Sequence, residues 1–266
     1  MANYQRNGRL WMPQASGVGP MSAGFGAGGT IVGEIISFLT SIGPSNWWRL
    51  GATAVNDGSG HASSVPDSCP PNNTITALTT ASHTKPAIGT LSDAVTPALT
   101  INGAQSFTPG TAFGAPTSNT FILLGEPVAV PTGFGAIVWG GTSAGATVAC
   151  TQTGTVGGSG PSDFTNVGGF LCSAPTVTTA LQTVEFNFDS PNTVAQVFRN
   201  GLQVATAVYA IPVAIGATVG IFGCIDVITE GAKGSFTDLI RIPLAITAAQ
   251  RLTLMGLLRK YLHTLP

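Results

Sequence analysis

Glu185 and Asp189, four positions apart in "TVEFNFD", come nearest to a paired-carboxylate arrangement on one strand in a chain with only 11 Asp and Glu among 266 residues. Paired carboxylates are what glycoside hydrolysis needs, one as acid and the other as nucleophile or base. On a strand, however, an i, i+4 pair lies about 13 Å apart, too far for either geometry. Ser143, central in "GTSAG", fits the G-x-S-x-G nucleophile elbow. That elbow must run from strand into helix, whereas "ATVACTQTGT" follows, a β-prone string without helical period, and His263 is the only histidine downstream. His61 and His83, with Asp57 and Asp67 nearby, offer metal-ligand chemistry but no ligand spacing, and read as solvated loop residues. "GFGAGG", residues 24–29, spells a phosphate-cradling G-x-G-x-x-G, yet no strand precedes it. Trp139, Phe134 and Tyr209 would stack on sugar rings if they lined a concave sheet face, and would otherwise be core. The expectation is therefore no catalytic residue, no cofactor, no metal and no enzyme.

Composition narrows the partners. Charged residues make up 8% of the chain and the formal net charge is -1, so there is no field to attract a polyanion and no nucleic acid is expected. So little charge favours a subunit packed against neighbours, a homo-oligomer, over a lone monomer; a small secreted domain with a threonine-rich surface is the alternative. The longest apolar run, residues 30–42, contains Glu34 and ends before Pro44, well short of a spanning helix, so membrane insertion is not expected. No signal peptide is read at the N-terminus, where Gln5, Arg6, Arg9 and Gln14 interrupt any apolar stretch. Cys69, Cys150, Cys172 and Cys224 form no CxxC pair and read as buried thiols, with a Cys150–Cys172 bridge as the other possibility.

The elements that must position any site follow from periodicity. Residues 1–29 are glycine-rich and aperiodic, an arm that orders only against something else. Ile31, Ile35, Phe38, Leu39 and Ile42 then recur on one helical face, and Gly43–Pro44 end that helix before Trp47 and Trp48. Two readings stand for this stretch: an anchor docking on a partner through Ile31, Ile35, Phe38, Leu39, Trp47 and Trp48, or a helix covering its own β domain. Residues 51–100 carry many Thr, Ser, Pro and Asn and read as irregular surface structure or short edge strands. From about residue 104, apolar strings bounded by turns indicate an antiparallel sandwich or barrel. In one of them Val184, Phe186 and Phe188 alternate with Glu185, Asn187 and Asp189, predicting one wet sheet face. Asn200–Gly201 predicts a tight type I′ hairpin. Thr247 with Gln250 forms a capping box, placing a helix start at Ala248 with Leu252, Met255, Leu258 and Leu262 along its buried side.

"VFRNGLQVAT", "ATVGIFG", "GSFTDLIRIPLAI" and "TAAQRLTLMGLLRKYL", in that order, resemble the closing part of the concanavalin A-like lectin/glucanase jelly roll of the laminin-G type, in the form found in bacterial and bacteriophage proteins. Gly234, Phe236, Leu239, Ile240, Ile242 and Leu244 fill its strand pattern; Thr247, Gln250, Leu252, Leu258, Tyr261 and Leu262 fill its helix pattern. The likeness covers residues 180–265 well and 100–180 by strand rhythm alone. It implies a mainly β fold, an antiparallel jelly-roll β-sandwich with an N-terminal arm and short helix over residues 1–50 and the jelly roll with its closing helix over 51–266. Glucanases of this superfamily carry an E-x-D-x-x-E triplet, and this chain has none.

Two functions are consistent with these readings. The first is a bacteriophage virion structural protein, a capsid decoration or tail-associated subunit held to other virion proteins by its N-terminal arm. The alternative is a lectin-like carbohydrate-binding module that recognises a host surface glycan.

Overall fold

The computed structural model describes residues 30–70, 72–113, 118–129, 135–142, 145–155, 161–167, 170–175, 179–189, 191–208, 219–226 and 231–263. Helix α1 (Ile31–Ile42) comes first. The strands of the first half are β1 (Asn46–Trp48), β2 (Val55–Asn56), β3 (Ala62–Val65), β4 (Ile75–Ala77), β5 (Ala87–Thr90), β6 (Pro97–Asn102), β7 (Phe107–Pro109) and β8 (Asn119–Pro127). Those of the second half are β9 (Ala136–Thr142), β10 (Gly145–Thr155), β11 (Pro161–Val167), β12 (Phe170–Pro175), β13 (Gln182–Asp189), β14 (Val194–Arg199), β15 (Leu202–Val208), β16 (Val219–Ile221) and β17 (Lys233–Ile242). Helix α2 (Ala248–Leu262) follows the last of them.

The strands form two antiparallel sheets packed as a sandwich. One has the order β15-β14-β13-β8-β17-β6-β5, with β1 also paired to β17; the other runs β12-β11-β10-β9-β16-β7-β4-β3-β2. Between them lies a core that includes Trp48, Phe107, Phe121, Phe186, Phe188, Phe222 and Phe236. Asn200 and Gly201 take φ of 49° and 84°, the two left-handed positions of the expected tight hairpin between β14 and β15.

The outer face of the first sheet is where expectation and structure part. Ile122, Leu124, Ile240 and Ile242 point away from the sandwich core and meet Ile35, Phe38 and Leu39 of α1 and Leu254, Met255, Leu257 and Leu258 of α2 in a second core. The face predicted to be wet is thus roofed by two helices. Each fully buried Ile, Leu, Phe or Met contributes about 1.5–3 kcal/mol, so this layer is a major part of the fold. Helix α1 begins at N-cap Thr30, whose hydroxyl accepts the Gly33 N–H, and α2 begins at the Thr247–Gln250 capping box.

Of the proposed anchor residues, Ile35, Phe38, Leu39, Trp47 and Trp48 are buried in this chain's own cores, and Ile31 packs against the second one. Their apolar stripe covers the outer face of the sheet, the other reading of that helix. Likewise no break in packing falls at residue 50, because β1 pairs with β17 through Asn46–Arg241, Trp47–Ile240 and Trp48–Leu239. The buried stripe of α2 is also rotated: Leu252 is 73% exposed, and Arg251 is buried in its place.

Candidate functional site

The two helices cover only part of the sheet's outer face. Beyond the carboxyl end of α2 the face is left open by the described residues over β6, β17 and β8, and polar side chains project from it there. Thr100 and Asn102 project from β6, Glu126 from β8, and Lys233 and Ser235 from β17, around a cavity of about 560 Å³. An adjoining cavity of about 480 Å³ is lined by Arg49, Asp93, Thr96, Thr237, Tyr261 and His263, among others. From Thr237 to Lys233 the strip runs along about 13 Å of strand, at about 3.3 Å per residue.

Each wall has a sequence cause. At one end the chain leaves β1 in a turn in which the carbonyl of Arg49 accepts the Thr53 N–H (2.9 Å) and hydroxyl (3.1 Å). The turn lies directly on β6: a Cβ at Gly51 would sit 2.1 Å from the carbonyl carbon of Pro97, so only glycine permits the approach. Arg49 is thereby laid across two aromatic rings, its guanidinium carbon 5.6 Å from the centroids of Trp47 and of Tyr261, and its Nε donates to the Tyr261 hydroxyl at 3.1 Å. Trp47 and Tyr261 meet edge-on with centroids 5.5 Å apart. Below them the Trp47 indole N–H donates to Asp238 Oδ1 at 2.8 Å, while Asp238 Oδ2 is buried with no hydrogen-bond partner among the described residues.

Along the side, the β5–β6 turn is held up by carboxylates. Asp93 accepts the N–H groups of Val95 (2.9 Å) and Thr96 (2.8 Å) and the Thr96 hydroxyl, which together hold its carboxyl below its ordinary value, the hydroxyl foremost. Glu126 accepts the Ser92 N–H at 2.8 Å and hydroxyl at 2.6 Å, tying that turn to β8. Both acids facing the strip therefore already have hydrogen-bond donors on each oxygen.

Complete burial pushes Asp238 up to about 6, against the pull of hydrogen bonds from Thr237 and Trp47 and of the Arg49 charge. The folded state therefore favours the protonated acid. Well below pH 3.8 the acid is protonated folded or unfolded and contributes nothing to the slope; stability then falls as pH rises and levels off above 6, about 3 kcal/mol lower in all. Asp238→Asn keeps an acceptor for Trp47 and removes the buried charge. Its melting temperature is expected to match wild type near pH 4 and to exceed it by several degrees at pH 8. Equal melting curves at both pH values would sink this assignment.

The residues singled out by sequence lie elsewhere. Glu185 is 2% exposed under α2, where Arg251 Nε lies 2.8 Å from both of its oxygens and Nη2 2.7 Å from Oε1. Burial pushes this carboxyl above its ordinary value, against the pull of Arg251. The guanidinium is sandwiched on its other side by Phe198, 3.5 Å from the ring centroid. Asp189 accepts Asn192 Nδ2 at 2.6 Å in the turn after β13. Ser143 falls outside the described residues; Thr142 ends β9 and Gly145, its ladder partner, opens β10, so the flanks of "GTSAG" are two paired strands rather than strand and helix. His83 is buried, with ring nitrogens 2.9 Å from the Thr80 hydroxyl and from the Cys224 carbonyl oxygen. His61 is exposed and bridges to Ala87. Asp57 is held down to about 2, first by Lys85 at 2.8 Å. Among the described residues no group of three or more metal-ligating side chains occurs. Trp139 is buried in β9, and the four cysteines are buried free thiols. Phe134, Tyr209, the glycine-rich arm and residues 24–29 lie outside the described residues.

No family model matches this chain, and no curated protein matches it. Solved structures similar to it are β-sandwich domains. An arabinofuranosidase complexed with arabinofuranosyl-alpha-1,2-xylobiose aligns with a TM-score of 0.56 at 11% identity, over 74% of this chain and 50% of that one. Domain 4 of AbnA, an extracellular arabinanase from Geobacillus stearothermophilus, aligns over 81% of this chain and 89% of that one, with TM-score 0.47 and 14% identity. The CBM40 of the Ruminococcus gnavus IT-sialidase aligns over 60% and 96%, with TM-score 0.45 and 14% identity. The chain is thus a mainly β, two-sheet antiparallel sandwich, with one helix before and one after its described strands. It spans half the length of the arabinofuranosidase chain.

Proposed function

We propose that this protein is a carbohydrate-binding domain that holds an extended glycan along the open strip on β6, β17 and β8 without cleaving it. The observation that carries this reading is the incomplete helical roof, which leaves a polar floor of Thr100, Asn102, Glu126, Lys233 and Ser235 next to the Arg49–Tyr261–Trp47 stack. Hydroxyl, amide and charged groups supply directional hydrogen bonds to sugar hydroxyls, and aromatic rings supply apolar area for sugar faces. Binding without hydrolysis is supported by Glu126 and Asp93, whose oxygens are engaged by Ser92, Val95 and Thr96. The particle-subunit reading used α1 and the tryptophan pair as the attachment, and their burial in this chain's own core weighs against it. A host surface glycan remains a suitable partner for the strip.

A glycan array followed by titration calorimetry tests the proposal. Wild type is expected to bind at least one glycan class saturably, and Thr100→Trp, which fills the floor from an exposed position, to weaken that binding more than tenfold at unchanged melting temperature. Binding that survives Thr100→Trp would move the site elsewhere, and an array with no saturable ligand would overturn the function.

A further inference from the structure

Arg49 is a half-buried cation with unused capacity. Its Nε is committed to the Tyr261 hydroxyl and its plane rests on two rings, but among the described residues neither Nη has a hydrogen-bond or ion-pair partner. Lys233, at the other end of the strip, likewise has no partner for its ammonium among the described residues. Glu126 is engaged by Ser92 and Asp93 by Val95 and Thr96, while Asp238, which accepts from Trp47 beneath the rings, attracts Arg49 through space without a hydrogen bond or ion pair to it. The strip therefore presents two positive groups with unused N–H donors, one at each end, in a protein with only 10 Lys and Arg in total. A guanidinium fork held flat by stacking is preorganised for a planar carboxylate or a sulfate, whose two oxygens accept two parallel N–H bonds.

We infer that the glycan bound along the strip is acidic, with one carboxylate or sulfate seated on the Nη groups of Arg49 and a second anionic group reaching Lys233. This rests on the glycan-binding reading above and goes beyond it by fixing the ligand's charge. The compact ammonium of Lys233 acts as a point charge, so the Arg49 end sets most of the preference.

The test pairs each acidic oligosaccharide with its neutral counterpart: uronic acid oligomers with their methyl esters, and sulfated oligomers with their desulfated forms. The two pairs distinguish a carboxylate from a sulfate. Wild type is expected to bind the acidic member of at least one pair at least tenfold more tightly, with added salt weakening the acidic ligand far more than the neutral one. Arg49→Gln is expected to bring the acidic ligand down to the affinity of the neutral one, and Lys233→Gln to reduce the preference by a smaller factor. Should Arg49→Gln fail to fold, the salt dependence of wild type alone decides. If both members of every pair bind alike and Thr100→Trp abolishes both, the charge assignment is wrong and the glycan site stands. If an acidic preference persists unchanged in Arg49→Gln, the seat is misassigned. If nothing on the array binds, both proposals fall together.

Discussion

Replacing Arg251 with alanine is expected to lower the unfolding free energy by about 3–5 kcal/mol, because it strands a charge beneath the closing helix. Glu185 is buried on the outer face of the sheet and receives the guanidinium through contacts of 2.7–2.8 Å. Removing the partner leaves the carboxyl to protonate or to admit water, and also removes a cation stacked on Phe198. The asymmetry between breaking a buried pair and replacing it sharpens the test. Glu185→Leu combined with Arg251→Met removes both charges at similar volume, and is expected to recover most of the loss. Chemical denaturation of the two variants checks this: a loss under about 1 kcal/mol for Arg251→Ala would mean that the pair contributes little.

The second large effect is expected at Asp67. Its Oδ1 accepts the backbone N–H of Trp47 (2.8 Å) and Cys69 (2.9 Å); Oδ2 accepts Asn46 Nδ2 (2.7 Å) and the N–H of Asn73 (3.1 Å). One carboxylate thus satisfies four donors and holds the segment before β4 against β1. Asn73 in turn accepts the Trp48 indole N–H through its carbonyl at 2.7 Å. Asp67→Asn keeps the shape but turns one acceptor into a donor that faces other donors. It is expected to be nearly as harmful as Asp67→Ala, each costing about 3 kcal/mol and about 10 °C in melting temperature. An Asn variant that melts with wild type would show that acceptor capacity there is dispensable.

These two positions show which parts of the molecule the sequence makes legible. Both helices, the capping box at Thr247, the Asn200–Gly201 turn and the alternating strand Gln182–Asp189 obey rules that act within a few residues, and each forms as those rules dictate. The alternation in that strand gives two faces but not what covers them. Glu185 points away from the sandwich, as its spacing requires, and meets a helix instead of water. The same gap explains Arg251: it shares a helical face with Leu254, Met255 and Leu258, at i, i+3, i+4 and i+7, but a charge at that position is read as solvated unless its buried partner is known. In residues 51–100 the strands are two to six residues long, too short for periodicity to register, and side-chain hubs such as Asp67 fix them instead. The strip is the least legible feature, because Arg49 and Tyr261 are 212 positions apart and only the fold brings them together.

That separation also bears on how the molecule is made. Strand β17 is hydrogen-bonded to β1, β6 and β8, so the sheet stays split until a segment synthesised after all of them arrives in its middle. Pairings of such sequence distance are slow to form, since the closure entropy of long loops precedes any reward from contact. A nascent chain reaching β13 already holds Phe121, Ile122, Leu123 and Leu124 with no β17 to flank them, an exposed apolar edge that invites association before folding finishes. The strip proposed to hold a glycan, whose floor is β17 and whose end wall is Tyr261, is among the last features to be built. Binding at that strip would therefore report completed folding.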